Sequence, residues 1–135
     1  MVQSSIKFAV TLACVLSFCA ATIAAEPEPG EAAFYTKRIE PLLKKRCYKC
    51  HSDDAKEIKG ALRLDNRNSM LDGGDSGPAI VPGDLDASLL IEAISYSDDF
   101  YQMPPDSRLP EKAIKDLTQW IKAGAKMPAE DAKEE

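Results

Sequence analysis

The chain has 135 residues, 44% of them hydrophobic and 29% charged, with 17 lysines and arginines against 22 aspartates and glutamates. That length holds one small domain together with its ends. The formal charge of −5 argues against a nucleic-acid partner and against attraction to an anionic lipid surface.

The first 25 residues read as an export signal, not as part of the fold. Lys7 supplies a positive start, the apolar run "FAVTLACVLSFCAATIAA" spans Phe8 to Ala25, and small residues at Thr22, Ala24 and Ala25 offer a cleavage site. The alternative is an uncleaved anchor, because the run approaches bilayer-spanning length; only then would the chain sit on a membrane. Lipid attachment at Cys19 is the weaker reading, since Phe18 is bulky just before that cysteine. Loss of the signal removes Cys14 and Cys19 and leaves Cys47 and Cys50, too few for a separate disulfide framework. It also removes Lys7, so 16 basic residues face 22 acidic ones, a balance of −6.

Residues 26–31 form a Pro/Glu/Gly linker, 32–126 a folded domain, and 127–135 an acidic tail without core residues. The stretch "AAFYTKRIEPLLKKR" places Phe34, Tyr35, Ile39, Leu42 and Leu43 near one helical face. Pro41 lacks an N–H and crowds the preceding turn, so a kink or restart is expected there. Residues 60–83 are rich in turn formers. Their "GGDSGP" lacks the Lys-Ser/Thr of a phosphate-binding loop and any clear preceding strand, so an ordered loop over the core is expected. "DLDASLLIEAISY" returns to helical spacing, with Leu89, Leu90, Ala93 and Ile94 inward and Asp84 or Asp86 available as a cap. "SDDFYQMPPDSRLP" is irregular. In "PEKAIKDLTQWIKAGA", Pro110 suits a first turn and Gly124 an end. Its stripe of Ala113, Leu117, Trp120 and Ile121 is expected to pack on the Phe34–Leu43 face. The predicted fold is all-α: three to five helices with long loops and no internal repeat. Loops of that length call for something else to fill the core, and a buried cofactor would do so.

The chemistry concentrates in "KKRCYKCHSDD". Two cysteines three apart, followed at once by a histidine, can hold zinc, exchange disulfides or anchor haem. A closed zinc site takes four Cys or His ligands, and the exported chain has two cysteines and one histidine. A thioredoxin-like pair needs a helix start in a βαβ setting, yet "KKR" looks like a helix end. A plain disulfide would close a very small loop and leave His51 unexplained. Haem attachment uses every part: Cys47 and Cys50 form thioethers and His51 ligates the iron. Export fits, because c-type haem is attached outside the cytoplasm.

With no second histidine, bis-His ligation within one chain is excluded, and methionine is the natural sixth ligand. Met70, Met103 and Met127 compete. Met103 stands out in "YQMPP", where Pro104 and Pro105 stiffen the backbone and reduce the freedom lost on ligation. Met70 is suited to packing, and Met127 lies beyond Gly124 near the tail. A backbone carbonyl should accept the other ring N–H of His51, with "SGPAIVPG" its expected source. Arg63, Tyr101 and Trp120 are candidates for contact with the haem, or else a solvated charge and two core aromatics.

The blocks "IEPLLKKRCYKCHS", "KGALRLDNRNSMLDGGDSGPAIVPGD", "SLLIEAISY", "QMPP" and "LPEKAIKDLTQWIKAGA", in that order, resemble the planctomycete-type cytochrome c domain over residues 34–126. The resemblance implies a class I-like cytochrome c fold, one haem c on Cys47 and Cys50, and His51 and Met103 as iron ligands. It also implies a domain that usually heads a longer secreted protein. The reading is therefore an exported c-type cytochrome, periplasmic or cell-envelope associated, that passes single electrons to a separate redox partner protein and is not itself an enzyme. The alternatives are a haem-dependent enzyme or a gas or redox sensor with an exchangeable sixth ligand, or the haem module of a larger secreted protein. A peroxidase wants distal acid–base groups, and the chain has no distal histidine.

Overall fold

A computed structural model describes residues 25–97 and 102–128. The expected export signal, apart from Ala25, lies outside the described residues, as do Tyr101 and residues 129–135 of the tail. Among the described residues the structure is helical and has no strand; two isolated bridges, Gly74 with Gly77 and Val81 with Asp84, pin turns. No helix there is long and apolar enough to cross a membrane.

The helices are α1 (Ala32–Phe34), α2 (Glu40–Arg46), α3 (Arg67–Asp72), α4 (Leu89–Ser95) and α5 (Glu111–Lys122). A wide turn, Tyr35–Ile39, joins α1 to α2, with the Glu40 N–H bonded back to the Tyr35 carbonyl five residues earlier. This is how the chain accommodates Pro41. The proline falls at the start of α2, where a missing N–H is tolerated, and the helix continues through a widened turn. The apolar face expected over 32–46 forms: Phe34, Tyr35, Ile39 and Leu43 are all buried.

The 60–83 stretch is more structured than expected. A single 3-10 turn (Lys59–Ala61) precedes α3, which begins where the Asn66 side chain accepts the Ser69 N–H at 2.8 Å. This is an N-cap written into a sequence of turn formers. Before α4, Asp84 accepts the N–H groups of Asp86 and Ala87 at 3.1 Å each, while Ser88 occupies the cap position itself. The Ser88 hydroxyl turns back to bond the Val81 N–H (2.9 Å) and the Asp84 carbonyl (2.6 Å). Neither aspartate caps α4 as anticipated; Asp84 shapes the turn that delivers it.

α5 starts after Pro110 and ends at Lys122, two residues before Gly124, whose φ of +100° turns the chain away. Its buried Leu117, Trp120 and Ile121 face the core, and the helix packs against the Tyr35–Ile39 turn, the middle of the Phe34–Leu43 face expected to receive it. The rings of Tyr35 and Trp120 lie 5.5 Å apart at 38°, and Arg38 pairs with Asp116 at 3.3 Å. The Gly83 N–H bonds the Ile121 carbonyl at 2.8 Å, tying the central loops to the last helix.

Candidate functional site

α2 ends in Lys44, Lys45 and Arg46, cations placed at the negative end of the helix dipole. The chain then turns sharply. The Cys47 N–H bonds the Leu43 carbonyl (2.8 Å), and the Cys47 carbonyl accepts the N–H of both Cys50 (3.1 Å) and His51 (2.9 Å). One turn therefore presents two sulfurs and an imidazole together. Both cysteines are unbridged and partly buried. Burial pushes the Cys47 thiol up to about 11, against the pull of Arg46 and with a further push from Cys50. Such a thiol stays protonated at neutral pH, the reverse of an activated redox cysteine. Among the described residues no three His, Cys, Asp or Glu side chains gather as a metal cage.

His51 is fixed through backbone and ring. Its carbonyl accepts the Leu64 N–H at 2.8 Å, and its Nδ1 lies 3.2 Å from the Leu62 carbonyl oxygen. The expected acceptor in "SGPAIVPG" is thus replaced by a carbonyl just after the 3-10 turn. A second brace stands beside it. The Asp53 N–H donates to Asp65 (2.6 Å), and Arg63 pairs with both Asp65 (3.1 Å) and Asp53 (3.2 Å). Burial alone would raise the Asp65 carboxyl; the hydrogen bonds from Arg63 and the Asp53 N–H outweigh it and hold the group below its ordinary range.

Cys47, Cys50, His51 and Met103 line one cleft of about 490 Å³, within the roughly 300–1,000 Å³ usual for ligand sites. Leu62 and Leu64 contribute from the segment that holds His51. Leu89, Leu90, Ala93 and Ile94 contribute from α4, the four residues expected to face inward there. Gly74, Ser76, Gly77 and Ala79 close one side, and Pro104 and Pro105 stand beside Met103. Arg46 and Lys59 supply the positive charges of the lining. The glycine-rich loop is ordered, and it packs tightly on the His51 support: a Cβ on Gly74 would lie 2.2 Å from the Gly60 carbonyl oxygen and 2.9 Å from the Leu62 Cβ.

The competing methionines separate cleanly. Met70 is fully buried in α3, and its carbonyl accepts the Ala79 and Ile80 N–H groups (3.0 and 3.2 Å). Met127 packs partly buried against the core. Of the three, Met103 alone reaches the cleft. Trp120 is a core residue, wholly buried, with its Nε1–H on the Lys126 carbonyl at 2.8 Å. Arg63 is engaged with its two aspartates, and neither it nor Trp120 lines the cleft. The Leu62 carbonyl and Arg46 were not anticipated. Arg46 adjoins the cysteine turn in sequence and could have been suspected; a carbonyl acceptor leaves no mark in residue identity.

The family model described as planctomycete cytochrome C matches residues 47–107. The match begins at Cys47, contains Cys50, His51 and Met103, and ends before α5. No curated protein and no solved structure matches the chain.

Proposed function

Taking residues 47–107 as a planctomycete cytochrome c domain, we propose that the chain is an exported c-type cytochrome that binds one haem covalently and passes single electrons to a separate redox protein. One observation carries the reading. Two thiols, the sole imidazole and a thioether, drawn from positions 47 to 103, line the same cleft.

The cleft suits the group. Its volume is that of a cofactor site, its lining is chiefly aliphatic with Arg46 and Lys59 as the charges, and its donors are the set used for c-type haem. Bound there, haem supplies a one-electron ferric/ferrous couple. Cys47 and Cys50 hold it as thioethers. His51 ligates the iron, with its ring oriented by the Leu62 carbonyl, a contact that also raises ligand basicity. Met103 completes the coordination, and its thioether favours the reduced state. The leucines and Ile94 of the lining exclude water, which limits reorganisation as charge changes. The apolar run at residues 8–25 supports export.

The test is peptide mass analysis of material made in a host that attaches c-type haem. Haem on residues 47 and 50 is the expected result, and colourless protein with both thiols free overturns the proposal. Spectra address the role. Low-spin six-coordinate haem with a Met-to-ferric charge-transfer band fits a carrier; high-spin ferric haem that takes up added ligands fits an enzyme or sensor.

A further inference from the structure

The segment that carries Met103 is fastened from two different parts of the fold. From α4, the Ala93 carbonyl accepts the Met103 N–H at 3.0 Å, and the Tyr96 hydroxyl donates to the Pro104 carbonyl. From the end of α2, the Arg46 guanidinium donates to both the carbonyl and the hydroxyl of Ser107, each at 2.9 Å. Arg46 directly precedes Cys47, so this second tie joins the cysteine turn to the methionine segment across the cleft that both line.

Tyr96 occupies an uncommon place. It is the C-cap of α4 with φ of 60° and ψ of 30°, a conformation that glycine or asparagine adopts more readily than a bulky side chain. A residue held there against its preference places a hydroxyl where the Pro104 carbonyl can take it. An irregular segment must otherwise give up backbone freedom each time its sulfur is held in place, and ties of this kind reduce that cost in advance.

We propose that Tyr96 and Arg46 are positioning residues that keep the Met103 thioether at the iron, Tyr96 from α4 and Arg46 from the arm bearing the cysteines. This rests on the reading of Met103 as the sixth ligand. Neither residue touches the iron. Their effect is on how readily another ligand displaces the methionine.

The experiment titrates ferric holoprotein with imidazole and follows loss of the Met-to-ferric charge-transfer band in wild type, Tyr96→Phe, Arg46→Gln and Thr118→Val. Thr118 donates a comparable hydrogen bond, to the Ile114 carbonyl at 2.8 Å in α5; neither residue lines the cleft, and the variant controls for general loss of stability. Tyr96→Phe and Arg46→Gln each raise imidazole affinity about fivefold, the equivalent of one net hydrogen bond of about 1 kcal/mol; Thr118→Val leaves it unchanged. Arg46→Gln reads the same property from a separate element should Tyr96→Phe fail to fold. A wild type that shows the band, with imidazole affinity within about twofold of it in the folded variants, overturns the positioning roles and leaves the Met103 reading standing. A wild type without the band sinks that reading, and the positioning roles with it.

Discussion

The Nδ1 atom of His51 lies 3.2 Å from the carbonyl oxygen of Leu62, and the backbone that carries this oxygen is pressed from behind by Gly74. The Gly74 position has no room for a side chain, since a Cβ would stand 2.2 Å from the Gly60 oxygen and 2.9 Å from the Leu62 Cβ. Orientation of the imidazole thus depends on a glycine 23 residues further along the chain.

Gly74→Ala should therefore act on the histidine at a distance. Overpacking of this kind costs about 1–3 kcal/mol, and relief by shifting residues 60–62 moves the acceptor away from Nδ1. The expected outcome is a lower thermal midpoint together with a changed reduction potential in holoprotein, because weaker orientation of the ring alters its basicity as a ligand. A variant destabilised by that amount but with the wild-type potential would show that Leu62 does not tune the histidine.

Met103→Ala should leave haem attached through Cys47 and Cys50, lower the potential, abolish the Met-to-ferric band and open the iron to added ligands. Met127→Ala should do none of these, since Met127 packs against the core. Survival of the band in the first variant, or its loss in the second, would reassign the ligand.

Much of this arrangement could be read before any coordinates. The spacing of Leu117, Trp120 and Ile121 located the inner face of α5, because helical period and burial report the same property. The Pro104–Pro105 pair singled out Met103, the methionine that reaches the cleft. What could not be read has a common cause. Leu62 matters through its carbonyl, which every residue possesses, and Ser88 takes the cap position that Asp84 and Asp86 were equally suited to fill. α3 was hidden because Asn66, Asn68 and Asp72 serve turns and helix ends alike. Tyr96 was hidden because its role depends on a left-handed backbone that tyrosine seldom takes.

Trp120→Phe should separate stability from cofactor chemistry. Trp120 is wholly buried, lies against Tyr35 and gives its Nε1–H to the Lys126 carbonyl at 2.8 Å. Replacement removes ring volume and the hydrogen bond from Nε1–H, a loss of about 1–3 kcal/mol visible as a lower urea midpoint. Since the indole does not line the cleft, the spectrum and potential of holoprotein should stay as in wild type. A changed potential would place Trp120 in contact with haem after all.

Acid should loosen the turn around His51 through Asp65. Its carboxyl has an ordinary value of 3.8; burial acts to raise it, and the hydrogen bonds from Arg63 and the Asp53 N–H, with the Arg63 charge, hold it lower in the folded chain. A group whose folded value is depressed binds fewer protons than the unfolded chain does over that interval. Its contribution to stability is therefore complete above 3.8 and is lost as pH falls through the lower, folded value. Asp65→Asn removes the titration and weakens the tie to Asp53 and Arg63 at every pH. The variant should be less stable than wild type near neutrality, and the gap should narrow as pH drops below the ordinary carboxylate range. Urea midpoints from about pH 6 down to about pH 2 measure both effects. Parallel curves for the two proteins over that range would mean that Asp65 is no more tightly held as an anion in the folded chain than in the unfolded one.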